Sequence, residues 1–497
     1  MRKTNTAAED ASSRSPLPAP VTRAQFLNLF AAVFLPMFMG AVDQTLLATA
    51  TPAIAASLGG FQDSSWIAVA YLLAAAIIVP VYGRLGDLRG RRDLLLIALA
   101  VFTLGSLACA LAQSFPQLVA ARVLQGLGGG GLMTLSQSLI GELVPPLDRI
   151  RFQGYFALVF AFASIGGPVL GGLVVSNASW RWLFAANLPL AAFAAWRLSR
   201  LPPGERYPPA TRGTDIPGHL LFIVGALATL FWLTSAGHRF TWASIASVVL
   251  IAVALSAWGV LYWHERRHPA PFLPVDLLRI KTIRLSALLV MLFAACLFAM
   301  VFFLPVYLQL GHRLSAQVSG LLLLPLTAGQ ITASLAVSRI ARKVKDPQRI
   351  PVIGMSLASA ALLLLSLLPP HLVLVSVLGF LTGLGLGSVM AINQVVVQTV
   401  AGRDRLGAAT AMNSLARSTG GATGAAVFGA IIFTMMPSVD ARSLLAQVTA
   451  FDIDTIVRVF HRAFFVIAVT AGLAAYVASR IPRVALWQTQ TPPPTEA

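Results

Sequence analysis

The chain has 497 residues, of which 57% are hydrophobic and 11% are charged, against about 25% charged in an ordinary soluble domain. That composition excludes a soluble enzyme and defines a polytopic membrane protein. The formal net charge of +18 points to basic loops facing the cytoplasm, with no nucleic acid among the expected partners.

In chain order, residues 1–25 form a polar, Pro/Ser/Ala-rich cytoplasmic tail. The apolar run that follows is too long for a signal-peptide core and reads as a retained first helix. A spanning helix needs about 20 mostly apolar residues. About fourteen segments meet that measure, near 26–52, 65–82, 94–113, 116–140, 153–175, 182–201, 218–236, 242–263, 285–308, 317–337, 350–368, 372–398, 407–434 and 461–481. The expected fold is all-α: a six-helix bundle over 26–201, a linker over 202–284 with two inserted helices, a second six-helix bundle over 285–481, and a cytoplasmic tail over 482–497. Cys109 and Cys296 fall inside apolar segments and read as small packed residues.

Loop charge sets the orientation. The loop after segment two carries Arg84, Arg89, Arg91 and Arg92, and the loop after segment ten carries Arg339, Arg342, Lys343, Lys345 and Arg349. The loops after segments one, three and eleven carry no Lys or Arg. Both termini are therefore expected on the cytoplasmic side of the inner membrane. Arg181, Arg239 and Arg313, and the 437–460 loop with Arg442 and Arg458, run against this pattern.

The sequence also repeats itself. The stretch Val123–Gln137 aligns without a gap to Phe380–Gln394, with Gly126, Gly128 and Gly130 matching Gly383, Gly385 and Gly387. Asp148-Arg149 echoes Asp404-Arg405, and Ser164-Ile-Gly-Gly167 echoes Ser418-Thr-Gly-Gly421. Duplicated halves with a binding site near the midplane are a transporter architecture.

Four stretches carry candidate chemistry. Asp43 is the acid lying well inside an apolar segment. A carboxylate there costs roughly 2.5–3.5 kcal/mol or more, so it faces a cavity or a partner. Arg122 in segment four is a second charge at depth; it either snorkels or meets a carboxylate. Its counterpart in the repeat is Gly379, so packing of the repeated helix does not require it. The loop Gly83-Arg-Leu-Gly86-Asp87-Leu-Arg-Gly90-Arg91-Arg92 has glycines for a tight turn and an acid that can neutralise arginines or sit at a helix N-terminus. It is read as a conformational latch between halves, or else as a plain solvated loop. In segment five, Gly167, Pro168, Gly171 and Gly172 suggest a kinked, closely packed hinge. Met37, Met39, Gln44, Tyr71, Asn187, Asn393, Gln394, Asn413 and Arg417 are candidates for a substrate cavity, or for bonds between neighbouring helices. The seven histidines are scattered, and neither a zinc-binding His-Glu-x-x-His nor a phosphate-binding Gly-x-x-x-x-Gly-Lys motif occurs. No cofactor and no metal is expected.

The 83–92 loop resembles the signature loop of the major facilitator superfamily. Arg122-x-x-Gln125-Gly126 is similar to that family's segment-four motif, linked to proton coupling, and Gly167-Pro-x-x-Gly-Gly172 to its antiporter motif. Asp43-Gln-Thr-Leu-Leu-Ala-Thr-Ala-Thr-Pro52 and Trp180-Arg-Trp-Leu-Phe-Ala-Ala-Asn-Leu-Pro189 resemble the fourteen-helix drug:proton antiporter branch, with Thr51 where a leucine is usual. The resemblance implies proton-coupled efflux of lipophilic, cationic or drug-like small molecules by a monomer in the lipid bilayer, with Asp43 and Arg122 coupling the proton. The rival readings are a symporter, an exporter of a metabolite or lipid, and a non-transporting receptor or scaffold.

Overall fold

The computed structural model describes residues 23–58, 66–203, 215–235, 240–268, 276–314, 316–341, 343–344, 346–368, 371–435 and 453–484. Each apolar run closes its own backbone hydrogen bonds as a helix, as hydrocarbon demands. The first group comprises α1 (Arg23–Leu58), α2 (Trp66–Arg89), α3 (Arg91–Leu111), α4 (Phe115–Leu143), α5 (Pro146–Asn177), α6 (Arg181–Ala185) and α7 (Asn187–Ser199). Next come α8 (Ile216–Ser235) and α9 (Ile245–Glu265). The last group comprises α10 (Lys281–Gly311), α11 (Ala316–Leu321), α12 (Leu324–Ile340), α13 (Ile350–Leu367), α14 (Leu372–Ala401), α15 (Leu406–Met435) and α16 (Ile453–Ser479). Among the described residues, nine helices are long and apolar enough to cross a membrane.

Four boundaries differ from the sequence reading. The stretch expected as a loop over 83–92 is helical except at Gly90, because α2 runs on to Arg89 and α3 begins at Arg91. Segments six and ten are each broken in two, and proline explains both breaks. Pro189 and Pro325 have no N–H for the carbonyl four residues back, and those residues, Ala185 and Leu321, end α6 and α11. The last helix starts at Ile453, so Arg458 is helical and not in a loop. Arg442 lies outside the described residues, as do Arg239, Arg342 and Lys345.

The two groups pack alike. In the first, α4 lies against α2 and α3, and α1 against α5; in the last, α14 lies against α12 and α13, and α10 against α15. The repeated glycines make this possible. A Cβ at Gly126 or Gly130 would run into the α2 backbone carbonyls of Tyr71 or Ala75, and one at Gly128 into Phe102 of α3. At the matching positions, Gly383 and Gly387 press on the carbonyls of Leu326 and Gln330 of α12, and Gly385 on that of Gly354 of α13. Small residues let backbones approach where no water drives helices together. Two apolar cores result, one around Phe102, Leu132 and Phe152, the other around Phe293, Tyr307 and Phe464.

The groups meet where α2 and α4 pack on α15, and where α5 packs on α12 and α14. The α8–α9 hairpin lies beside this junction, with α8 touching both α2 and α15. Its helices are joined by the Trp232 indole N–H to Ser247 Oγ (2.9 Å) and the Trp258 indole N–H to Thr229 Oγ1 (3.0 Å).

Candidate functional site

Asp43 is enclosed by protein, with 5% of its surface exposed. Its partners come from α4, held in place by the glycine contacts just described. Arg122 Nη1 donates to Asp43 Oδ2 at 2.7 Å and to Gln125 Oε1 at 2.6 Å, while its Nε donates to the Ile67 carbonyl at 2.8 Å. Gln125 Nε2 donates to Asp43 Oδ1 at 2.9 Å and approaches Ser106 Oγ at 3.1 Å. Arg122 is 1% exposed and Gln125 is 0% exposed. The Arg122 guanidinium lies 4.4 Å from the centre of the Tyr71 ring, a cation–π arrangement. A buried carboxylate is thus neutralised by a buried guanidinium, with an amide bonded to both.

The network runs on toward the break between α6 and α7. Ser106 Oγ donates to the Phe184 carbonyl (3.1 Å) and accepts from Asn187 Nδ2 (2.8 Å). Cys109 Sγ donates to Gln125 Oε1 (3.5 Å). Ser106 and Cys109 carry no signal in the sequence beyond being small residues in an apolar helix. Gln125 carries one, since it stands one helical turn from Arg122 on the same face.

A second charged cluster sits at the other end of α4. Arg91 is wholly buried between Asp87 Oδ1 and Glu142 Oε2, each 2.6 Å away. Glu142 lies just beyond the segment expected from sequence. It is a second buried acid, 1% exposed, that the sequence reading placed outside the membrane-spanning run. Asp87 also reaches the other group of helices. Its two oxygens accept the backbone N–H groups of Gly407 (2.9 Å) and Ala408 (3.1 Å) in the first turn of α15. The positive end of the α15 dipole thus faces the Asp87 carboxylate. Gly83 and Gly407 touch, so that a Cβ at Gly83 would fall 2.6 Å from the Ala411 Cβ. Gly90 turns the chain between α2 and α3 at φ +94°, a conformation L side chains rarely adopt. Gly86 packs against Leu135 and Arg91. Arg92 donates to the last carbonyls of α7, those of Leu198 (3.1 Å) and Ser199 (2.7 Å).

The remaining candidates scatter. Met37 and Met39 are buried and pack in the first core. Tyr71 lies beneath Arg122, and Asn187 joins the Asp43 network through Ser106. Asn393, Gln394 and Asn413 form an amide ladder in the other group. Asn393 Nδ2 donates to Asn413 Oδ1 (3.1 Å), and Asn413 Nδ2 donates to Gln394 Oε1 (2.6 Å). Gln394 and Gln398 both donate to Thr410, and Gln398 reaches back to the Gln137 carbonyl of α4 at 3.4 Å. Arg417 is half-buried on α15, with no ion-pair partner among the described residues. Gly167, Gly171 and Gly172 lie in α5; Gly167 and Gly171 are buried, whereas a Cβ at Gly172 would meet nothing within 4 Å. The side chains of Gln44 and Pro168 lie outside those described.

Two similarly packed helical groups thus meet around buried charges. The family model of the major facilitator superfamily matches residues 33–217 and 215–425, and the chain belongs to that family. It is 32% identical over 407 residues to the multidrug transporter protein MdtP of Bacillus subtilis, covering 81% of this chain and 75% of the relative. An uncharacterized transporter of the same family from Mycobacterium tuberculosis is 32% identical over 425 residues, 85% of this chain; the match spans 61% of that relative's length. Among solved structures, the human organic anion transporter MFSD10 superposes with a TM-score of 0.65 at 17% identity over 91% of this chain and 99% of that one. The proton:xylose symporter XylE superposes with a TM-score of 0.61 at 15% identity over 92% and 96%. These likenesses at low identity establish the fold.

Proposed function

We propose that the chain is a proton-coupled exporter of lipophilic, cationic or drug-like compounds, of the fourteen-helix drug:proton antiporter branch. It would work by alternating access in the inner membrane, with both termini cytoplasmic. The observation that carries this reading is the closed Asp43–Arg122–Gln125 cluster. Protonating Asp43 cancels its charge and strands Arg122, and breaking a buried pair from one side costs about 3–5 kcal/mol. A proton therefore cannot bind without rearrangement of the helices that hold the pair. A cationic substrate competing for the same carboxylate meets the same constraint, so proton and substrate exclude each other at one site. The named multidrug relative supports the same substrate class. In this reading the two six-helix halves rock about the α8–α9 linker. The contacts of Asp87 and Gln398 then hold the cytoplasmic end shut and are remade and broken in each cycle.

The decisive measurement is proton release from purified protein when tetraphenylphosphonium is added. The wild type should release protons saturably, and Asp43→Asn should release none while remaining folded. Coupled efflux by Asp43→Asn in proteoliposomes at the wild-type rate would overturn the assignment.

One observation favours a second substrate class. Arg417 lies roughly 16 Å along α15 from its start, at 1.5 Å per residue, half-buried and without an acidic partner among the described residues. A cation at that depth suits a substrate carrying an anionic group. If anionic or zwitterionic compounds, and not simple cations, elicit the proton release, and Arg417→Ala removes the response, the chain exports metabolite-like substrates instead.

A further inference from the structure

The hairpin that separates the two groups carries a cluster unrelated to Asp43. Asp215 stands at the entry to α8 and is 2% exposed. Its Oδ1 accepts the Gly218 N–H at 2.8 Å and lies 2.7 Å from His264 Nε2, while its Oδ2 is 4.0 Å from His268 Nδ1. His264 lies in the last turn of α9, and the His268 N–H donates to the His264 carbonyl (2.9 Å), so the turn continues and presents both imidazoles on one face. Their ring centres are 5.2 Å apart. One donor atom from each of the three residues lies within 4.8 Å of the other two.

A second buried carboxylate lies near Asp215. Glu265 is 3% exposed, and a Cβ added at Gly218 would sit 2.8 Å from its Oε1 and 2.7 Å from the Asp215 Cγ. Two carboxylates therefore converge on Gly218, and Asp215 carries the contacts to the two imidazoles. His219 is held apart from them, with Nδ1 against the Asp215 backbone carbonyl. The sequence showed none of this, because Asp215 is 49 residues from its histidine partner in the hairpin.

We propose that Asp215, His264 and His268 bind a zinc ion that ties the start of α8 to the end of α9. Imidazole nitrogens with a carboxylate oxygen are a zinc donor set, and four residues is within the usual spacing of a paired-histidine ligand. Tetrahedral zinc with bonds of about 2.0–2.1 Å places its donors about 3.3–3.4 Å apart. The observed separations of 2.7 Å, 4.0 Å and up to 4.8 Å bracket that value. The carboxylate is held by the Gly218 N–H, and the imidazoles are 22% and 26% exposed, so solvent reaches the ligand atoms. A solvent molecule completes the four-coordinate shell. The far end of the hairpin is already fixed by its tryptophan bonds, so the ion pins the open end. Because α8 touches both α2 and α15, pinning it fixes a strut beside the junction of the two groups.

The test uses the full-length protein in detergent with any affinity tag removed, stripped by chelator and titrated with Zn²⁺ by calorimetry, with Co²⁺ absorption as a second readout. One Zn²⁺ should bind per chain, and Co²⁺ should show the intense visible bands of low coordination. Removing even a residue that only supports a metal ligand weakens binding about 10–100-fold, so His264→Ala or His268→Ala should weaken it at least about tenfold. The double variant His264→Gln with His268→Gln keeps the ring-sized polar groups and serves where alanine impairs folding; it should bind no stoichiometric ion. Absence of saturable binding by the wild type, or binding unchanged in the glutamine double variant, overturns the proposal.

Discussion

Arg122 makes the case that side-chain geometry, and not charge alone, fixes the Asp43 cluster. It uses Nε for the Ile67 carbonyl and Nη1 for both Asp43 and Gln125, a planar fork that one ammonium cannot reproduce. Arg122→Lys is therefore expected to lose most efflux while the protein still folds, as read by transport in vesicles against thermal stability. Gln125→Leu removes a donor to Asp43 and the acceptor for Arg122 and Cys109. Leaving such groups unpaired costs about 1–3 kcal/mol. The expected outcome is a lower melting temperature together with weakened coupling of proton release to substrate. Asp43 and Arg122 could be picked out of the sequence because charge in an apolar run is rare. Gln125 and Asn187 could be named but not connected, and Ser106, which joins them, could not be named at all, because hydroxyls and amides in such helices usually bond whatever neighbour they meet.

Among the helices, the glycines sort into those that permit contact and those that face space. Gly128 of α4 presses on Phe102, whereas at Gly379 of α14, the counterpart of Arg122, a Cβ would meet nothing within 4 Å. Gly128→Leu should abolish folded expression; Gly379→Ala should leave expression and melting temperature unchanged. Size-exclusion yield and a thermal ramp decide both. Gly83→Val forces side-chain atoms into Ala411 and Gly407, so α2 and α15 cannot close as they do here. Cysteine pairs across that junction should then cross-link more slowly than in the wild type. The helices themselves were legible because hydrocarbon leaves an apolar run of some twenty residues no other form. The breaks in segments six and ten were legible in principle from Pro189 and Pro325, since each removes one backbone donor. Hydropathy averaged over a window passes over a missing N–H, so both runs read as continuous.

Over the whole molecule, α4 joins two charged clusters that do different work in the proposed cycle. Arg122 and Glu142 are 20 residues apart on one helix, about 30 Å at 1.5 Å per residue. The Asp43 pair lies wholly inside the first group, whereas Asp87 reaches across to the first turn of α15. Binding chemistry and the junction between halves are thus separable by mutation. Asp87→Asn keeps an oxygen for one α15 N–H but gives up one of the two charges paired with Arg91, the one that meets the helix dipole. It should retain substrate-induced proton release, because the Asp43 cluster is untouched, yet lose net efflux, because the halves no longer close. Asp43→Asn should do the reverse, keeping cross-linking at the α2–α15 junction while losing proton release. If both variants lost proton release together, the two clusters would be one cooperative unit, and α4 would be transmitting a rearrangement between them and not merely holding them apart.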